Sequence, residues 1–218
     1  MSPLVRHNQP LPELIVQADG DVGKITKALR HADPVVREAA AWALGQIGAR
    51  GTANDVVAAL RDQDERVRGT AALSLGLMDD ASAAPALMAA LEDSNPDVAR
   101  YALVSLIRLN AAPIELLLRS LHHDDWGVRQ GAAKSLGRLR EPRALEALLS
   151  TLANDASDSV CGEAAESLGK IVATLPKDDP MRASALRALE AALSGARSDF
   201  IRMRARGALA NVQRAAGR

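Results

Sequence analysis

Apolar residues recur along the chain at helical spacing, and the pattern as a whole recurs too. Residues 33–47 read DPVVREAAAWALGQI, 64–78 DERVRGTAALSLGLM, 95–109 NPDVARYALVSLIRL and 125–139 DWGVRQGAAKSLGRL. The frame weakens but persists at 157–171, SDSVCGEAAESLGKI, and at 198–212, SDFIRMRARGALANV. Its anchor is Val36, Val67, Val98, Val128, Val160 and Ile201, with spacings of 31, 31, 30, 32 and 41 residues. Eight residues after each anchor stands Leu44, Leu75, Leu106, Leu136, Leu168 or Leu209. Seven or eight before it stands Leu29, Leu60, Leu91, Leu121, Leu152 or Leu193. A fixed period of this length marks a repeated supersecondary unit, here in six copies.

Each copy parses as two helices. In the second, offsets 0, +4, +8 and +11 from the anchor (Val36, Ala40, Leu44 and Ile47) fall within a stripe about 80° wide, which predicts a buried face. Offsets +2, +6 and +9 point away from that stripe. Small residues at +3 and +7, such as Ala39, Ala43, Thr70 and Ser74, admit a close neighbour. Asp33, Asp64, Asn95, Asp125, Ser157 and Ser198 precede the anchor by three residues, where an N-cap belongs. Pro34 and Pro96 take the favoured first helical position, and Gly48 reads as a helix C-terminus. The first helices are VGKITKAL, NDVVAAL, APALMAAL, PIELLLRSL, ALEALLSTL and ASALRALEAAL. Glycines of the Leu-Gly pairs at 44–45, 75–76, 136–137 and 168–169 lie inside second helices, where each costs roughly 1 kcal/mol against alanine. Close helix approach is the expected reason, rather than a phosphate loop.

A lone hairpin of this size cannot bury its stripe, but stacked hairpins can. The expected fold is all-α: a right-handed α-solenoid of about six two-helix repeats, with one concave and one convex surface. Residues 1–20 do not match the repeat and are expected to form an N-terminal arm or cap, with PELIVQAD as a short helix. Residues 21–218 form one repeat domain, with repeats near 21–49, 50–79, 80–110, 111–140, 141–173 and 180–218. The long spacing before the last copy marks an insertion around Lys177–Pro180.

Composition agrees and narrows the function. Alanine supplies about a fifth of the residues and aromatics 2%, so the core is built of Leu, Ala, Val and Ile. Twenty-seven basic residues balance 27 acidic ones, which argues against a globally cationic nucleic-acid binder. One cysteine, Cys161, excludes an internal disulfide framework and fits a reducing compartment. With no signal-peptide core and no membrane-length apolar run, the expected location is the cytoplasm and no membrane is implied.

The pattern D-x-x-V-R-x-x-A-A-x-A-L-G-x-I-G at 33–48, with the APALMAAL helix at 84–91, resembles the short HEAT-like repeat of phycobilin lyases. The resemblance covers roughly residues 20–215 and is specific for the fold more than for the activity. It implies that the arginines after the anchor, Arg37, Arg68, Arg129 and Arg202, join acids such as Asp62 and Asp93 in a structural ladder between repeats. Ala99 and Cys161 replace that arginine in two copies. No His–Asp partner accompanies Cys161, so an inert thiol is expected. Iron-binding His-Glu dipeptides, as in deoxyhypusine hydroxylases, are absent: His7, His31, His122 and His123 precede Asn, Ala, His and Asp. The cluster His122-His123-Asp124-Asp125-Trp126 has ligand chemistry, but Asp125 is already needed as an N-cap and adjacent turn residues rarely converge on one ion. No catalytic set, metal site or cofactor is assigned.

At offset +6 the residues are Trp42, Leu73, Val104, Lys134, Glu166 and Gly207. The first three form an apolar stripe on the expected concave face, with Glu38 and Arg100 beside it and Lys134 further along. Either a protein or peptide partner binds this stripe, or residues 1–20 fold over it. Residues 54–97 hold nine acids and three bases, and residues 197–218 six arginines and one aspartate. These opposite sections allow head-to-tail self-association. The expected function is a non-enzymatic scaffold or adaptor. The alternatives are a phycobilin-lyase-like accessory enzyme or chromophore handler, and nucleic-acid binding through the C-terminal arginines.

Overall fold

The computed structural model describes residues 18–216, which contain twelve α-helices and no strand. Helix pairs are α1 (Val22–Ala28) with α2 (Pro34–Ile47), α3 (Ala53–Ala59) with α4 (Glu65–Leu77), and α5 (Ala84–Ala90) with α6 (Pro96–Arg108). They continue as α7 (Ile114–Ser120) with α8 (Trp126–Leu139), α9 (Leu145–Asn154) with α10 (Asp158–Val172), and α11 (Pro180–Gly195) with α12 (Asp199–Ala216). Contacts group them into two compact units, Met1–Ala112 and Pro113–Arg218. Within the first, α2 packs on α4 and α4 on α6. Within the second, α8 packs on α10 and α10 on α12. First helices lean mainly on their own partners, so the second helices form the closely spaced row of each unit. This is the α-solenoid fold class.

Helix starts follow from side-chain capping. Asp33, Asp64, Asn95 and Asp125 accept backbone N–H bonds from Val35, Arg66, Asp97 and Gly127 at 2.7–2.9 Å. Ser157 makes no such bond, and Ser198 accepts weakly from Ile201 at 3.4 Å. The anchors and the +4 and +8 side chains are buried in the first five repeats, with Leu44, Leu75, Leu106, Leu136 and Leu168 fully enclosed. Each such leucine contributes on the order of 2 kcal/mol of apolar burial. In the sixth, Leu209 is only half-buried and Ala208 beside it is enclosed.

Two offsets differ from the expectation. At +11, Met78 and Ile171 are buried, but Ile47 and Leu139 are 48% exposed, because they end their helices and no neighbour covers the last turn. At +9, Gly45, Gly76, Gly137 and Gly169 do not face outward. They press against Ser74, Ser105, Ser167 and Ala208, the +7 residues of the following repeat. The outward positions are +6 and +10; +2 turns outward only in part, since Gly69 and Gly162 are buried there against Tyr101 and Phe200.

Arginines lock the turns. Arg37 makes a two-pronged bond to Asp62 (2.7 and 2.8 Å), and its remaining nitrogen donates to the carbonyls of His31 and Ala32 in its own turn. Arg68 does the same to Asp93 and to the carbonyls of Asp62 and Gln63. Arg129 does so to Asp155 and to the carbonyls of His123 and Asp124. Each guanidinium thus ties its own hairpin turn to the next one. Each acid also accepts the N–H two residues on, from Asp64, Asn95 and Ser157. His31 and His123 stand in the same turn slot and use Nδ1 for that bond. The acid thus appears where the preceding repeat carries the arginine. Arg202 departs from the expected ladder: it bonds Asp199 and the Ala196 carbonyl of its own hairpin. At the Cys161 copy the polarity reverses. Arg197, on the later turn, reaches back to Asp158 (2.6 Å) and the Asp155 carbonyl (2.7 Å).

Candidate functional site

The second-helix row of the first unit brings Trp42 (α2), Leu73 (α4) and Val104 (α6) to one slot on successive helices, each half-buried. Half-burial follows from register. At +6 a side chain rotates off the interhelical seam, so neighbouring helices cover its base and leave its tip. Leu77, at +10 on α4, extends the apolar surface, while Arg108, at the same offset on α6, donates to the Gly76 carbonyl at 3.0 Å. The sequence reading missed these two because it placed +9 outward. The glycines at +9 were the available signal, since a helix interior keeps glycine where a neighbour needs the space.

Polar groups flank the stripe. Glu38, at +2 on α2, is half-buried, and burial pushes its carboxyl up against the pull of the Arg66 guanidinium. The Thr70 hydroxyl on α4 lies 3.5 Å from it. Arg100, at +2 on α6, lies over the Tyr101 ring at 4.5 Å and bridges to Asp97 at 3.2 Å. Tyr101 itself is buried, its ring against the bare backbone of Gly69 on α4, and burial pushes its hydroxyl up. Lys134 belongs to the second unit, where it is exposed on α8. Residues 1–20 are the alternative cover for the stripe, and of these 1–17 lie outside the described residues.

Cys161 is buried, its thiol donates toward the Asp155 carbonyl at 3.3 Å, and burial pushes its pKa up. His123 spends its Nδ1 lone pair on the Asp125 N–H, and Asp125 caps α8, so these two members of the cluster at 122–125 are committed to their turn. Among the described residues no group of three or more His, Cys, Asp and Glu is gathered to hold a metal ion. No helix among them is long and apolar enough to cross a membrane.

Stacked helical hairpins locked by turn arginines, with a flanked apolar stripe, define an α-solenoid repeat protein. The HEAT repeats family profile matches residues 23–108, 90–169 and 114–210, so the chain belongs to the HEAT repeats family. A curated relative is the bilin biosynthesis protein RpcF of Synechococcus sp. (strain WH8020), 35% identical over 95 residues. That stretch is 44% of this chain and 46% of RpcF, so it spans about half the length of the relative. Among solved structures, an archaeal HEAT-like repeats protein from Thermococcus onnurineus NA1 superposes with a TM-score of 0.65 at 17% identity, covering 94% of each chain. The complex of CpcE and CpcF of phycocyanin lyase from Nostoc sp. PCC7120 matches with a TM-score of 0.50 at 21% identity, over 97% of this chain and 99% of that one.

Proposed function

We propose that this HEAT-repeat chain is an adaptor whose first unit takes a protein or peptide segment along the stripe Trp42–Leu73–Val104. The single observation behind this reading is that stripe: three apolar side chains at one slot of three adjacent helices, flanked by Glu38 and Arg100. Contiguous apolar surface with a charged border is the usual form of a protein-binding patch. A fold relative whose structure is a two-chain complex supports a protein partner for this chain as well. Affinity capture from the native cell, followed by mass spectrometry, tests the reading. Proteins retained by the natural chain are expected to be lost with both Leu73→Glu and Val104→Glu, and kept with Lys134→Ala. Capture that ignores both stripe substitutions refutes it.

The second reading is a lyase-like or chromophore-handling accessory, favoured by the 35% identity to a bilin biosynthesis protein. Added bilin distinguishes the two. A saturable change in bilin absorbance on adding the protein supports chromophore handling, and an unchanged spectrum leaves the adaptor reading in place.

A further inference from the structure

A pocket of about 360 Å³ lies in the second unit, among the C-terminal ends of α8, α10 and α12. Arg140, Lys170, Ala173, Asn211, Arg214 and Ala215 line it. We infer that it is a binding site for a small polyanion bearing at least two carboxylate or phosphate groups. Three cations and one amide converge there over two alanine side chains, and no acid lines the wall. The volume lies within the range of small-molecule sites.

The cations are held but not neutralised. Lys170 bridges to Glu166 at 2.7 Å, yet Glu166 is also bound by Arg204, so one carboxylate serves two cations. Arg214 is oriented by Asn211 (2.8 Å) and the Ala210 carbonyl (3.3 Å), partners that carry no charge. The Arg140 side chain has no hydrogen bond or ion pair among the described residues. Its backbone is also unusual. The residue twelve after the anchor is left-handed in the first four repeats, as Gly48 (φ 67°), Asp79 (54°), Asn110 (52°) and Arg140 (53°). Glycine, aspartate and asparagine adopt that conformation readily, whereas arginine does so against its preference. A strained backbone kept at the rim of a cationic pocket points to a use for the side chain.

Cations at helix C-termini also complement the helix dipole. Lys170 and Arg214 stand in the last turns of α10 and α12, where that need accounts for them in part, but it does not require an arginine on the left-handed backbone of position 140, which Gly48 fills in the first repeat. Two guanidiniums offer paired donors that match carboxylate and phosphate alike, and Lys170 adds a point charge.

Titration calorimetry of the full chain at low salt, with inorganic pyrophosphate and with citrate as probes, tests the inference. Single-site binding of at least one probe is expected, with a Kd of about 1 mM or tighter. Arg140→Gly and Arg214→Gln are each expected to weaken it about tenfold or more. Arg140→Gly should at the same time raise the thermal midpoint, because glycine relieves the left-handed strain. A loss of binding in that variant therefore cannot be a loss of fold. Arg206→Gln removes an exposed arginine of α12 outside the pocket and is the control. Preference for citrate assigns the site to carboxylates, and preference for pyrophosphate assigns it to phosphates. Absence of saturable binding by either probe overturns the inference. So does equal weakening by Arg206→Gln, which means diffuse surface charge of the kind a nucleic acid would meet.

Discussion

Gly76 and Ser105 meet with no room for a β-carbon between them: a Cβ at position 76 would stand 2.8 Å from the Ser105 Cβ and 3.0 Å from its Cα. The same pairing joins Gly45 to Ser74 in the first unit and Gly137 to Ser167 in the second. Four repeats thus present a glycine at +9 (Gly45, Gly76, Gly137 and Gly169) to a small residue at +7 of the next, whereas the third carries Ile107 there, and the glycine pairs set how closely those second helices approach.

Gly76→Ala is therefore expected to destabilise the chain by about 1–2 kcal/mol, since overpacking outweighs the helix propensity gained. Gly207→Ala, at a mid-helix site of α12 with nothing near the added carbon, is expected to stabilise by about 0.5–1 kcal/mol. Urea unfolding of the two variants should move the midpoint in opposite directions. Stabilisation by both would show that the helices can be spread at no cost.

The +7 serines separate in a second test. Ser105 donates to the Ala72 carbonyl at 2.7 Å in a buried site, whereas the Ser74 and Ser167 hydroxyls are buried with no hydrogen bond among the described residues. Ser105→Ala should cost about 1 kcal/mol. Ser74→Ala should be neutral or slightly stabilising, as it removes a polar atom that burial leaves unmatched. Equal losses at both sites would assign the hydroxyls no distinct role.

The ladder predicts a pH dependence. The bond from Arg68 holds the Asp93 carboxyl below its usual range, against the opposing effect of burial, and Arg37 does the same for Asp62. For Asp155 burial pushes up, but the bonds from Arg129 and the Ser157 N–H outweigh it. A depressed carboxylate contributes its stability above the unfolded aspartate value, near 3.9, and loses it as pH falls through the lower folded value. Arg68→Ala should cost about 2 kcal/mol at pH 7, between exposed and fully buried pairs, because the two side chains are 15% and 11% exposed. That difference should narrow between about pH 4 and pH 2. A gap that stays constant across the range would mean that Arg68 acts by packing alone.

Cys161 provides a check on its buried site. Burial raises its thiol pKa while Arg197, 3.7 Å away, pulls the other way, and burial is the larger effect. Iodoacetamide at pH 8 should leave the native chain unlabelled over a period that fully labels it in urea, as read by intact mass. Rapid native labelling would instead reveal an accessible thiolate made by Arg197.

The sequence by itself determined the repeat, the helix ends and the inner leucines, because each rests on interactions within one hairpin. Caps such as Asp33 and Asp64 act on N–H groups two residues away, and the Val36–Ala40–Leu44 stripe is a property of a single helix. The apolar slot of Trp42, Leu73 and Val104 was legible for the same reason. Only the tertiary structure decided which flank of each helix meets its neighbour. A 100° step leaves +9 and +10 on either side of the outward direction, and the rotation that presses Gly45 onto Ser74 is set by two helices together. Arg129 bound to Asp155 of the next turn, and Arg202 turned back on Asp199, likewise depend on which groups the stacked turns bring within reach. Arg140, Lys170 and Arg214 are 30 and 44 residues apart in the chain. Stacking brings their side chains to one pocket, and no local period of charge foretells it.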